Sequence, residues 1–180
     1  MRKILPVLLF ILFALPVLGA PRILFILDGS GSMWEEIEGE PKIAIAREVM
    51  TGLIADLPAS SEVGLIAYGH TRQGSCEDIE ILRPVGPLDR ESLTAHIRGI
   101  SPKGKTPLTN AVKLAVKQLL DSEAPASVVL VSDGKESCGG DPCAAVEAAK
   151  ETGVAFRLHV VGFGLGDTDV EELECMARLG

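Results

Sequence analysis

The sequence predicts a three-layer α/β fold, a doubly wound and mostly parallel sheet with helices on both faces. Two observations carry that expectation. Residues 23–27, 63–68 and 127–131 are apolar runs with no wet face between them, and such strands belong in sheets buried on both sides. Segments with helical spacing separate the runs, and strand–helix alternation of this length builds parallel crossovers. A third observation concerns function. The first and third runs lead into carboxylates, Asp28 and Asp133, at the end of a parallel sheet where ligands gather.

Taken in order, the chain opens with a segment of a different kind. Arg2 and Lys3 precede an apolar stretch, residues 4–18, broken by Pro6 and Pro16 and followed by Gly19-Ala20. A basic head, a short apolar segment and small residues are the layout of a secretory signal peptide over residues 1–20, with cleavage expected after Gly19 or Ala20. The stretch falls short of the roughly 20 residues a spanning helix needs; retention as an uncleaved anchor is the alternative. The rest is the size of one domain, expected over residues 22–180. Net charge is −8, and −10 once Arg2 and Lys3 are removed. That balance argues against nucleic acid and anionic membrane surface as partners, since both call for clustered positive charge. Cys76, Cys138, Cys143 and Cys175 show no Cys-x-x-Cys spacing and fit an oxidising compartment better than a zinc site.

After the first strand, Pro41 opens a helix with Ala46, Val49, Met50, Leu53, Ile54 and Leu57 at helical spacing, stopped by Pro58. The second buried strand ends at Gly69, a polar loop covers 70–78, and residues 79–82 alternate as a short edge strand. Asp89 caps a helix running to about Gly99, and Thr106-Pro107 opens another with Leu108, Val112, Ala115 and Leu119 on one face. Beyond the third strand, Asp141-Pro142 starts a helix that Gly153 closes. Residues 155–161 form a fourth strand in which Arg157 and His159 alternate with apolar residues. Thr168 and Glu171 make a capping box for the last helix.

The turn after the first strand, Asp28-Gly29-Ser30-Gly31-Ser32, presents a carboxylate and two hydroxyls. These are hard oxygen donors, suited to Mg²⁺, Mn²⁺ or Ca²⁺; the turn by itself reads equally well as a cap. A further hydroxyl comes from Gly104-Lys105-Thr106-Pro107-Leu108, and Asp133 is followed by Gly134. Together the three segments resemble the von Willebrand factor type A domain, which carries Asp-x-Ser-x-Ser after its first strand, a Thr in a Gly-x-Thr-Pro-Leu-like turn, and Asp-Gly after its fourth strand. The resemblance covers about residues 22–180 and implies a Rossmann-like sheet. It further implies a metal-ion-dependent adhesion site built from Asp28, Ser30, Ser32, Thr106 and Asp133. In that family the two serine hydroxyls bind the ion directly, while the threonine and the carboxylates bind directly or through water. An ion held largely by neutral oxygens keeps an open position for an Asp or Glu of another protein. The implied function is a secreted or cell-envelope, Mg²⁺-dependent (or Mn²⁺- or Ca²⁺-dependent) protein-binding module that makes and breaks no bond. The family pattern continues with another strand and helix, so the sheet is expected to lack its last strand.

Rival readings fit less well. Gly99 to Thr106 spells Gly-x-x-x-x-Gly-Lys-Thr, a nucleotide-binding P-loop, but the residues before it look helical and Pro102 removes an N–H from the would-be phosphate cradle. A haloacid-dehalogenase-type phosphatase needs an Asp where Ser30 stands, and neither serine sits in Gly-x-Ser-x-Gly. An accessory subunit of a metal-dependent enzyme is the remaining enzymatic alternative. Trp34, His70, Lys105 and Lys135 are candidate partner contacts, although Trp34 reads better as packing over the first helix and the lysines as surface charge. His159 reads as a structural strand residue and His96 as solvent-facing. The cysteines leave pairings open: Cys138 with Cys143 across Gly-Gly-Asp-Pro, or Cys76 with Cys138 and Cys143 with Cys175.

Overall fold

The protein is represented by a computed structural model that describes residues 19–121 and 124–180. The signal-peptide expectation therefore falls, apart from Gly19 and Ala20, outside the described residues. Strand β1 (Arg22–Asp28) leads through a 3-10 turn (Gly31–Trp34) into a small hairpin, β2 (Glu36–Ile37) and β3 (Glu40–Pro41). Then follow α1 (Lys42–Asp56), β4 (Glu62–Tyr68), β5 (Ile79–Pro87), α2 (Arg90–Gly99) and α3 (Leu108–Leu119). The chain continues with β6 (Ala126–Ser132), α4 (Pro142–Glu151), β7 (Phe156–Gly162) and α5 (Asp167–Leu179). The main sheet runs β5-β4-β1-β6-β7. All its pairs are parallel except β4 with β5.

Strand β1 is the axis because it can bury both faces. Leu24 and Ile26 point into a core shared with α3, α4 and α5, and Phe25 and Leu27 into a second core under α1 and α2. All four are at most 2% exposed, and each such side chain is worth about 1.5–3 kcal/mol when fully buried. Strand β4 divides the same way, with Ile66 and Tyr68 on one side and Val63, Leu65 and Ala67 on the other. The caps behave as their chemistry requires: the Asp89 carboxylate accepts from Ser92 N–H at 3.0 Å and Asp141 from Ala144 N–H at 2.9 Å. The capping-box expectation for α5 rests on Thr168, whose side chain lies outside the described ones.

Several expectations are corrected. The edge strand extends over Ile79–Pro87, well past residue 82, and pairs antiparallel with β4. Pro84 and Pro87 hid its length, yet an edge strand tolerates residues that cannot donate. On α1 the buried stripe is Ile43, Ala46, Met50 and Ile54, while Val49 and Leu53 are exposed. His159 is exposed on β7 and His96 half-buried on α2. The α1–α2 core reaches β7 only towards its end, at Val161, so Arg157 and His159 face solvent while Phe156 and Leu158 fill the opposite core. Among the described residues no helix is long and apolar enough to cross a membrane.

Both disulfides are present, as Cys76–Cys138 and Cys143–Cys175, with Cα separations of 5.6 and 5.9 Å. Cys138 does not pair with Cys143. Asp141 starts α4 between them, so Cys143 lies on the helix against α5, whereas Cys138 stays in the loop and meets the β4–β5 loop.

Candidate functional site

Parallel register sets the strand ends side by side: Asp28 lies opposite Tyr68, and Leu27 opposite Val131, two residues before Asp133. Three loops leaving this edge are then tied together by backbone. Gly31 N–H donates to Gly104 O at 3.0 Å, Gly104 N–H to Gly69 O at 2.7 Å, and Lys103 N–H to the Gly29 and Gly69 carbonyls. Two glycines permit the approach. Gly69 has φ +66°, and a Cβ there would lie 2.6 Å from the Lys105 carbonyl; a Cβ on Gly104 would lie 2.8 Å from that of Arg72. The Thr106 segment is also joined to the β6–α4 loop, its N–H donating to Ser137 Oγ at 2.8 Å while Ser137 N–H donates to Thr106 O at 3.0 Å. The Cys76–Cys138 bridge closes the same side of the molecule.

Within this frame, Asp28, Ser30, Thr106 and Asp133 are all buried, and Ser32 is half-buried. Ser30 Oγ and Ser32 Oγ are 3.0 Å apart, and Ser32 Oγ donates to Asp133 Oδ1 at 2.8 Å. Asp28 stands behind them, accepting from Ser30 N–H at 2.7 Å and from Ser132 Oγ at 2.6 Å. Tyr68 OH extends this chain by donating to Ser132 Oγ at 3.2 Å. Burial pushes the Asp28 carboxyl above its usual range, with the hydrogen bonds from Ser132 and Ser30 opposing and the nearby Asp133 charge adding to the rise. Tyr68 is pushed well up, first by burial and then by Asp28.

Lys42, the first residue of α1, carries no motif that marks it in the sequence. Its ammonium donates to Asp133 Oδ2 at 2.9 Å and to Glu35 Oε2 at 2.7 Å. Burial disfavours that charge, but the two carboxylates outweigh it and its pKa is raised. Ser132, Tyr68 and Ser137 are likewise invisible to sequence reasoning. Ser132 is the neighbour of Asp133, but no spacing rule marks which hydroxyl will reach across to the adjoining strand.

The other candidates scatter around this cluster. Trp34 is 51% exposed, its indole N–H donating to Pro102 O at 2.9 Å, so it does not pack over α1. Lys105 and Lys135 are exposed. His70 is buried, with Nε2 3.4 Å from Glu80 Oε2, which leaves little of it for another molecule. The P-loop reading fails on its surroundings. Helix α2, not a strand, precedes Gly99, and the N–H groups of Lys103, Gly104 and Thr106 are spent within the protein. Among the described residues no three His, Cys, Asp or Glu side chains gather as a metal cluster; the oxygens here come from two carboxylates and from hydroxyls.

A family model for the von Willebrand factor type A domain matches residues 23–178. The chain belongs to that family, whose domains mediate protein–protein adhesion and interaction. It is 29% identical over 162 residues to the uncharacterized protein YwmD of Bacillus subtilis, covering 85% of this chain and 72% of that one. Among solved structures it resembles a von Willebrand factor type A protein from Catenulispora acidiphila, with TM-score 0.71 and 19% identity. That match covers 89% of this chain but 37% of the other, so the chain spans little more than a third of it. The manganese-loaded TRAP protein of Plasmodium vivax matches with TM-score 0.63 and 21% identity, over 86% of this chain and 63% of that one. At these identities the structural likeness speaks for the fold.

Proposed function

We propose that the chain is an exported protein-binding module that holds a divalent cation on Asp28, Ser30, Ser32, Thr106 and Asp133, a metal-ion-dependent adhesion site, and uses the ion to take a carboxylate from another protein. One observation carries the reading. Ligand oxygens about 2.1 Å from Mg²⁺ in an octahedron lie about 3.0 Å from their neighbours, and the separations along Ser30 Oγ, Ser32 Oγ and Asp133 Oδ1 are 3.0 and 2.8 Å. The donor set is oxygen only, as a hard cation prefers. Asp28 has both oxygens engaged, which suits a carboxylate acting through water behind the hydroxyls. When bound, the ion supplies a positive centre on an acidic protein, and that is what lets an acidic partner dock.

Export is supported by the basic-then-apolar N-terminal segment and by two disulfides. Mg²⁺, Mn²⁺ and Ca²⁺ all suit the donors, and the similar Plasmodium vivax protein is loaded with manganese. Trp34, Lys105 and Lys135 border the site and would meet the partner first. Titration calorimetry with Mg²⁺ and Mn²⁺ tests the reading, paired with capture of envelope proteins on the immobilised domain. The expected result is saturable cation binding that Ser32→Ala removes, and captured protein that a chelator releases. Capture indifferent to both chelator and Ser32→Ala would overturn it.

A further inference from the structure

We infer that Lys42 is an internal counter-cation of this site: it neutralises Asp133 when no ion is present and lowers the affinity for a divalent cation. The inference rests on the cation-site reading above and concerns a residue outside the expected ligand set.

Three observations lead to it. The first is placement. Lys42 opens α1, where the helix end already carries partial positive charge and a cation is disfavoured, so the local rule is broken there for something outside the helix. The second is enclosure. The Lys42 side chain is 5% exposed and that of Asp133 0%. The lysine stem passes Gly164, where an added Cβ would come within 2.9 Å of Lys42 Cε. The ammonium is thus held in a slot rather than resting on the surface. The third is division of labour on one carboxylate: Asp133 gives Oδ2 to Lys42 and Oδ1 to Ser32. The oxygen on the expected metal side is held by the Ser32 hydroxyl, itself an expected ligand, while the other is fixed by the ammonium.

Charge makes the consequence directional. Asp28, Asp133, Glu35 and Lys42 carry a formal −2 together, so a dication brings the group to neutrality. Without the lysine the same ion would sit in a group still at −1. Lys42 therefore opposes cation entry, and it also leaves the loaded site without excess negative charge to repel an incoming carboxylate.

The test is calorimetric titration of Mg²⁺ and Mn²⁺ into metal-stripped wild type, Lys42→Met, Lys42→Gln and Lys42→Arg, with Tm measured in chelator. The two neutral variants are expected to bind at least tenfold more tightly and to melt lower without metal. Lys42→Arg, which keeps the charge, is expected within about threefold of wild type. Neutral variants that bind no more tightly than a wild type that does bind overturn the inference and leave the site reading standing. Binding by the neutral variants but not by wild type supports the inference and the placement of the site, and overturns only the proposal that the wild-type chain works through a bound ion. No binding by any protein removes both. Should the neutral variants fail to fold, Glu35→Gln decides: Glu35 is exposed, and its loss leaves the ammonium to Asp133 alone. At least threefold weaker binding is then expected, and an unchanged Kd overturns the inference.

Discussion

Asp28 and Asp133 end adjoining strands at one edge of the same sheet, yet they are held in opposite ways. Both oxygens of Asp28 accept from neutral donors, Ser30 N–H and Ser132 Oγ. Asp133 shares its oxygens between a hydroxyl and an ammonium. The contrast shows how an acidic site stays folded before it is filled. The β1 end is braced by polar groups and keeps its negative field for a ligand, and the β6 end is already compensated by Lys42.

The largest effect expected from breaking this arrangement is that of Asp133→Ala. It strands a buried ammonium with the exposed Glu35 as its remaining carboxylate, and removing one partner of a buried pair costs about 3–5 kcal/mol. Urea denaturation in chelator measures it. A loss under about 1 kcal/mol would erase the distinction drawn here. Asp28→Asn is expected to cost less, about 1–3 kcal/mol, because the amide oxygen can still accept from Ser30 N–H and no cation is left behind. If the two variants ranked the other way, the contrast between the strand ends would be reversed.

Asp78 gives a third buried carboxylate for comparison, away from the two strand ends. It accepts from the N–H groups of Thr71 and Arg72, each at 2.8 Å, and from the Thr71 hydroxyl. Burial pushes its carboxyl up, but these donors and the nearby His70 outweigh burial and hold it below the usual range. A lowered folded pKa means stability that is present above the unfolded value, about 4, and lost as pH falls through the folded value. Acid titration of stability should therefore show a limb below about pH 4 that Asp78→Asn flattens. Identical acid limbs in the two proteins would contradict it. The smallest effect belongs to Tyr68→Phe, which removes the far end of the Asp28 brace and should cost about 0.5–1.5 kcal/mol by the same measurement.

Much of this was legible in the sequence, and for physical reasons. Unbroken apolar runs such as residues 23–27 fix a two-sided strand, and the carboxylates after the first and third runs, Asp28 and Asp133, fix the edge where ligands gather. What could not be read depends on which strand neighbours which. Lys42 and Asp133 are 91 positions apart, and nothing local says that a helix start will lie beside the end of β6. The one clue was a lysine at a helix N-terminus, against the dipole. Trp34 read better as packed than as exposed, and wrongly, because a single aromatic carries no periodicity to say which way it faces. The cysteine pairing waited on the sheet order, and the full length of β5 was hidden because prolines on an edge strand look like breaks. Arg157 and His159 show the reverse lesson: their alternation is the pattern of a half-exposed strand, a signal that reading His159 as structural passed over.

Everything proposed at this sheet edge turns on the Ser30, Ser32 and Asp133 oxygens surrounding one divalent ion. Crystals grown with Mn²⁺ and measured at an energy where manganese scatters anomalously put that arrangement to the test. An anomalous peak is expected about 2.0–2.3 Å from both Ser30 Oγ and Ser32 Oγ. A well-ordered site with no such peak at saturating Mn²⁺ would contradict it.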